Sequence, residues 1–198
     1  VKNNAPTKVS QKDILTYDEI DEMYQRINDL EHLVMIRIGL NAGLRIAEVL
    51  DLEVCDIYAE KGALLIRKGK DTTGKKDDSG ARIGKERFAP VDSVTIALIQ
   101  CLTASRAPTV RPADHRTEKI IQIKRRTAQR HTSEIMPRPG LSFHSLRHTC
   151  ATMQLNLGMN IIDVRDNMGH TDVKITQQYL HLNINERSRK YRDALRTI

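Results

Sequence analysis

The chain has 198 residues, 39% hydrophobic and 29% charged, which suits one folded domain and excludes an intrinsically disordered chain. No apolar run reaches the roughly 20 residues that span a bilayer, and no secretory leader opens the sequence, so no membrane role is expected. Three scattered cysteines, Cys55, Cys101 and Cys150, are odd in number and lack metal-ligand spacing, which excludes a disulfide framework and fits a reducing cytosol.

The formal net charge is +7, and it is unevenly placed. Residues 67–87 carry a net +4 and residues 111–147 a net +6, so the remainder sums to −3. Concentrated positive charge favours a polyanion, because neutralised phosphates release their counterions. A solvated basic surface is the competing explanation.

In chain order, the polar stretch 1–11, which starts at Val1 and not Met, is expected to be a linker from a longer protein. Thr16-Tyr17-Asp18-Glu19 has the form of a capping box. Ile20, Met23, Tyr24, Ile27 and Leu30 follow it at helical spacing. A second helix is predicted over Asp29–Ala42, closed by Gly43, and a short one over Ile46–Leu50. The period then changes. Val54–Ile57, Ala63–Arg67 and Arg87–Val91 read as three short strands, with a long Gly- and Lys-rich tip over 68–84. Helices are predicted over Ser93–Ser105 and Glu118–His131, with a Pro-containing loop at Ala107–Arg116. Further helices are predicted from Ser142 or Phe143 to Gly158, then over Ile161–Met168, Asp172–His181 and Glu186–Leu195. The fold class is therefore α+β, mostly α-helical, with a small three-stranded antiparallel sheet.

Chemistry concentrates near the C-terminus. His144-Ser145-Leu146-Arg147-His148 is followed by Gly169-His170, and Tyr179 stands nine residues after His170. Arg45 lies about a hundred residues earlier, in Gly43-Leu44-Arg45-Ile46-Ala47-Glu48. Phosphodiester cleavage needs charge on the non-bridging oxygens, a nucleophile and a protonated leaving group. A guanidinium meets phosphate oxygens bidentately, and a tyrosine beside positive charge can attack as the phenolate. Taken singly, each residue has an ordinary explanation: a surface arginine, a polar histidine at a helix start, a half-buried tyrosine. His144 and His148, four apart on one helix, lack the glutamate that a zinc-protease helix carries directly after its first histidine. Neither a metal nor a cofactor is expected.

Jointly, Gly-Leu-Arg-Ile-Ala-Glu-Val-Leu-Asp-Leu, a lysine-bearing hairpin, His-Ser-Leu-Arg-His-Thr, Met-Gly-His and the later tyrosine resemble the tyrosine recombinases, the phage integrase family. The resemblance runs from about residue 12 to the C-terminus and implies a catalytic domain over 12–198. It implies that Arg45 and Arg147 clamp phosphate, that His144 and His170 contact it, that Glu48 orients its neighbours and that Tyr179 is the nucleophile. It places the catalytic lysine at the hairpin, at Lys68 or, in reserve, Lys70. It implies site-specific recombination or integration of double-stranded DNA through a 3′-phosphotyrosyl link. A type IB topoisomerase and a catalytically silent DNA-binding module are the alternatives. The family's N-terminal DNA-binding domain is not found in this chain. A synaptic tetramer on DNA is expected of the full-length protein, with a monomer open to the isolated fragment, its last helix packing in cis or in trans. The expected location is the cytoplasm, at the nucleoid.

Overall fold

The computed structural model describes residues 9–67, 86–106 and 117–180. Helix α1 (Tyr17–Gln25) starts at the capping box: Thr16 Oγ1 accepts from the Glu19 amide at 3.2 Å, and Glu19 accepts from the Thr16 amide at 2.9 Å. Two otherwise orphaned donors are thereby satisfied. Helix α2 (Leu30–Asn41) is capped by Asp29 and buries Val34, Met35, Ile36 and Ile38 completely. Consecutive buried residues leave it no polar stripe, because neighbours cover it on several sides. Helix α3 (Ile46–Asp51) follows after Gly43, whose φ of 63° only glycine adopts cheaply.

Strands β1 (Ile57–Tyr58), β2 (Ala63–Ile66) and β3 (Arg87–Pro90) form an antiparallel sheet in the order β1-β2-β3, with Leu64 opposite both Ile57 and Ala89. The first strand is shorter than expected. Val54–Asp56 forms a single 3-10 turn, because Asp56 Oδ2 accepts from the Glu53 amide at 2.9 Å. A local side-chain bond of this kind competes with the strand ladder.

Helices α4 (Ser93–Arg106), α5 (Arg125–Ile135), α6 (Phe143–Asn156), α7 (Ile161–Met168) and α8 (Val173–Gln177) complete the described elements. Helix α5 corrects the expected span Glu118–His131, starting seven residues later and ending four later. The backbone before it is committed elsewhere: Val54 N–H donates to Glu118 O, and Ile120 N–H donates to Leu52 O, each at 3.0 Å. Ile120 and Ile121 are buried there instead of on a helix face. Helix α8 is also shorter than the predicted Asp172–His181: Asp172 caps it and Tyr179 lies in the turn beyond it. The hairpin tip with Lys68 and Lys70, the loop at 107–116 and the helix predicted over 186–195 lie outside the described residues.

The main core gathers α2, α4, α6 and the inner face of the sheet. Helices α2 and α6 approach closely at Gly39, where a Cβ would stand 2.6 Å from Phe143 Cζ. A second cluster joins Cys150, Ala151 and Leu155 of α6 to Val164 and Met168 of α7, with Val9 and Tyr179. The two cores meet along α6, whose residues 145–147 and 149–152 are all buried, the polar ones among them. Among the described residues no helix is long and apolar enough to cross a membrane.

Candidate active site

Four polar groups converge where α3, β3, α6 and α7 meet. Glu48 is 6% exposed and joins two arginines. It accepts from Arg45 Nη1 at 2.8 Å, and its other oxygen accepts from the Arg45 amide at 2.9 Å. Arg87 of β3 grips the same carboxylate with both terminal nitrogens, at 2.9 and 3.2 Å. Burial would raise the Glu48 pKa, but the bonds and charge of Arg87, followed by those of Arg45, hold it below the usual glutamate value. Arg87 also donates from Nε to Asn167 O at 3.2 Å, tying the sheet to the end of α7.

Arg147 is 1% exposed, an extreme position for a guanidinium. It donates from Nη1 to Gly43 O at 2.5 Å and from Nη2 to Met168 O. The two helix ends thereby supply carbonyls that desolvated donors need. Burial, and then the nearby charge of Arg45, lower its pKa to about 10, so it remains a cation at neutral pH. Arg45, Arg87 and Arg147 together face one carboxylate, so the site carries surplus positive charge.

The histidines add no charge of their own. Gly169, at φ 63°, ends α7 and turns the chain so that His170 N–H donates to Arg165 O at 3.0 Å. The His170 ring is then fixed by a 2.9 Å bond between Nδ1 and Thr176 Oγ1. Burial, and after it Arg147, Arg45 and Arg87, press its pKa to about 3. His148 is pressed to about 4 by burial, next by His144. His144 stands exposed at the start of α6, its pKa lowered by partial desolvation of the ring and by Arg147 and Arg45.

Tyr179 closes the site. It is 3% exposed and rests on the second core cluster. Its ring lies parallel to that of His170, with centroids 6.3 Å apart, and its hydroxyl is 2.8 Å from His148 Nδ1. Burial raises the phenol pKa, against the pull of Arg147 and Arg45. Cys150, also in this cluster, is pushed up to about 12 by burial and is no thiolate at neutral pH.

Six sequence-predicted residues are therefore gathered in one region: Arg45, Glu48, His144, Arg147, His170 and Tyr179. Lys68 lies outside the described residues. Two members were not singled out from sequence. From sequence Arg87 is only the start of a strand at the hairpin's end, and His148 enters the His-Ser-Leu-Arg-His-Thr motif and a discounted metal pair but receives no role. Position held a signal for His148, which is one turn from His144; their rings meet edge to face at 4.4 Å. Among the described residues no group of three or more His, Cys, Asp or Glu is gathered for a metal ion.

The phage integrase family model matches residues 13–186. Tyrosine recombinase XerA of Saccharolobus solfataricus is 28% identical over 193 residues, covering 95% of this chain and 59% of the relative. Tyrosine recombinase XerC of Lactobacillus leichmannii is 24% identical over 190 residues, covering 88% of this chain and 60% of the relative. The chain thus spans somewhat under two thirds of the length of these curated relatives. Among solved structures, XerA recombinase superposes with a TM-score of 0.72 at 20% identity, covering 91% of this chain and 64% of that one. The catalytic domain of bacteriophage HP1 integrase superposes with a TM-score of 0.58 at 18% identity, covering 90% of this chain and 94% of that one.

Proposed function

The chain belongs to the phage integrase family, and from that premise we propose that residues 12–198 are the catalytic domain of a tyrosine-type site-specific DNA recombinase or integrase. In this reading the substrate is double-stranded DNA, residues 1–11 are a linker, and the protein works as a synaptic tetramer at the nucleoid. The observation that carries the reading is the gathering of Tyr179, its hydroxyl 2.8 Å from His148 Nδ1, with the buried Arg147 cation one residue before that histidine, in a site with more arginines than carboxylates. Such surplus charge suits a phosphodiester and the further negative charge of its transition state.

Tyr179 attacks the scissile phosphorus, forming a 3′-phosphotyrosyl link and releasing a 5′-hydroxyl. Arg45 and Arg147 clamp the non-bridging oxygens, and His144 and His170 donate to them from neutral rings. Glu48 holds Arg45 in line. Lys68, or Lys70 in reserve, protonates the leaving oxygen. Attack by a partner strand's 5′-hydroxyl reverses the step and joins the new strand. The bond energy is kept in the phosphotyrosyl link, so the scheme requires neither ATP nor a metal ion. Curated relatives named as tyrosine recombinases support recombination over relaxation of DNA by a topoisomerase.

The test is covalent capture. A labelled pool of nicked duplexes, with randomised sequence around the nick, is incubated with the chain and resolved on a denaturing gel. The parent traps an adduct because the short strand released by cleavage diffuses away. Tyr179→Phe loses the adduct and keeps DNA binding, since only the nucleophilic oxygen is removed. An adduct of normal yield from the Phe variant would refute the assignment.

A further inference from the structure

The proposed reaction leaves one partner unassigned: the group that receives the nucleophile's proton. We propose that His148 is a catalytic residue, the general base that takes the Tyr179 phenolic proton at Nδ1. The proposal rests on the strand-cleavage reading above and goes beyond it.

Geometry comes first. His148 lies one residue after Arg147 on α6, and its Nδ1 is 2.8 Å from the Tyr179 hydroxyl, within reach for proton transfer. The other candidates are engaged or misaligned. His170 presents its ring face to the tyrosine at 6.3 Å, and its Nδ1 is bonded to Thr176 Oγ1. His144 touches the ring of His148. Arg147 is occupied by Gly43 O and Met168 O and is a cation. Bulk water has little access to a tyrosine that is 3% exposed.

The direction of the hydrogen bond follows from the two groups' states. Burial keeps the phenol protonated, so its O–H is the donor. Burial keeps the imidazole neutral at ordinary pH, so its unprotonated nitrogen accepts. Nδ1 therefore carries the lone pair, and the ring's own proton sits on Nε2.

Titratable and charged groups face His148 from three directions. On its own helix, His144 and Arg147 oppose its protonation. His170, after α7, is a further neutral ring coupled to it. Against these, Asp13 in the 3-10 turn Gln11–Asp13 favours the imidazolium. That turn is fixed on α6 by the Leu15 amide, which donates to Thr149 Oγ1 at 2.9 Å. Asp13 itself accepts from the Ser10 amide at 2.7 Å. A carboxylate tied down on one side and a phenol on the other let a weakly basic imidazole accept a proton transiently.

The step balances. As the Tyr179 oxygen–phosphorus bond forms, the phenolic proton passes to His148 Nδ1. The bond from phosphorus to the 5′-oxygen breaks, and that oxygen takes its proton from the separate hairpin acid. On rejoining, the 5′-hydroxyl attacks phosphorus and returns its proton to the hairpin group, the bond from phosphorus to the tyrosine oxygen breaks, and that oxygen recovers its proton from His148.

The test compares single-turnover adduct formation by the parent, His148→Asn and His148→Ala, on the captured duplex, from about pH 6 to about pH 8.5. Asparagine keeps an acceptor near the Nδ1 position but cannot take a proton. The expected result is that His148→Asn binds DNA like the parent and cleaves about 100-fold more slowly or worse at neutral pH. Its rate rises about tenfold per pH unit, as hydroxide replaces the lost base, while the parent shows no such first-order rise. Added imidazole restores part of the His148→Ala rate. A His148→Asn variant with the parent's profile, within about threefold in rate, overturns the proposal. On the parent alone, nitrogen NMR of the histidine ring is expected to show Nδ1 bare and Nε2 protonated. The opposite tautomer overturns the proposal even if the variants fail to fold. A parent that forms no adduct refutes strand cleavage itself, and the base role with it.

Discussion

In the proposed reaction Arg147 is structural and reactive at once. Its two carbonyl partners lie at the ends of α2 and α7, so the guanidinium fixes both turns around the candidate site. A lysine carries the charge but cannot fork between two acceptors. Arg147→Lys is expected to cost at least about 2 kcal/mol of transition-state stabilisation, with a modest loss of DNA affinity. Single-turnover cleavage then falls by about thirtyfold or more, and an unchanged rate removes Arg147 from the site. Arg87 acts through Glu48. With its folded pKa depressed, Glu48 contributes stability above its unfolded pKa, and that contribution is lost as pH falls through the folded value. Arg87→Ala leaves the buried carboxylate with Arg45 alone and raises that folded pKa. The expected loss is about 1–3 kcal/mol at pH 7. Urea unfolding should show the gap to the parent narrowing below about pH 4, as Glu48 becomes protonated in both proteins.

At the scale of elements, the close crossing of α2 on α6 helps to bring Arg45 and Arg147 together, because Arg45 follows α2 by four residues and Arg147 lies on α6. Gly39 permits that crossing. Alanine is the better helix former by about 1 kcal/mol, yet its methyl would meet Phe143 Cζ at 2.6 Å. Overpacking of this kind costs about 1–3 kcal/mol. Gly39→Ala is therefore expected to lower the thermal midpoint despite its propensity, measurable by circular dichroism; a raised midpoint would show that Phe143 can yield. Elements also show where sequence reading succeeds. Helix α1 was legible because Thr16 and Glu19 cap it locally. The start of α5 was not, because the amides of Val54 and Ile120 bind carbonyls more than sixty residues away. Those partners compete with helix formation, and no window around Glu118 contains them.

At the scale of the whole molecule, positive charge gathers in residues 67–87 and 111–147, and two kinds of lysine need separating. A phosphate-contacting lysine changes the salt dependence of affinity, by about one in the logarithmic slope for each contact. A general acid matters only to a poor leaving group. Lys68→Ala is expected to slow cleavage strongly on an ordinary duplex and to recover on one with a 5′-bridging sulfur, whose thiolate leaves unassisted. Lys75→Ala and Lys76→Ala should change the salt slope alone. Rescue of Lys70→Ala in place of Lys68→Ala would move the acid two residues along.

The helical class, the small sheet, the family and six candidate residues of the site are legible in short windows of sequence, because capping, periodicity and motif spacing are encoded there. The tertiary structure alone decided that Arg87 shares Glu48 with Arg45, 39 residues from its partner, and that His148 meets Tyr179, 31 residues away. Burial decided the rest: it discharges His148 and His170, keeps the Tyr179 phenol protonated and strips Arg147 of water. Desolvation depends on what surrounds a group in three dimensions, so the protonation states on which this chemistry depends exist only once the helices have closed around them.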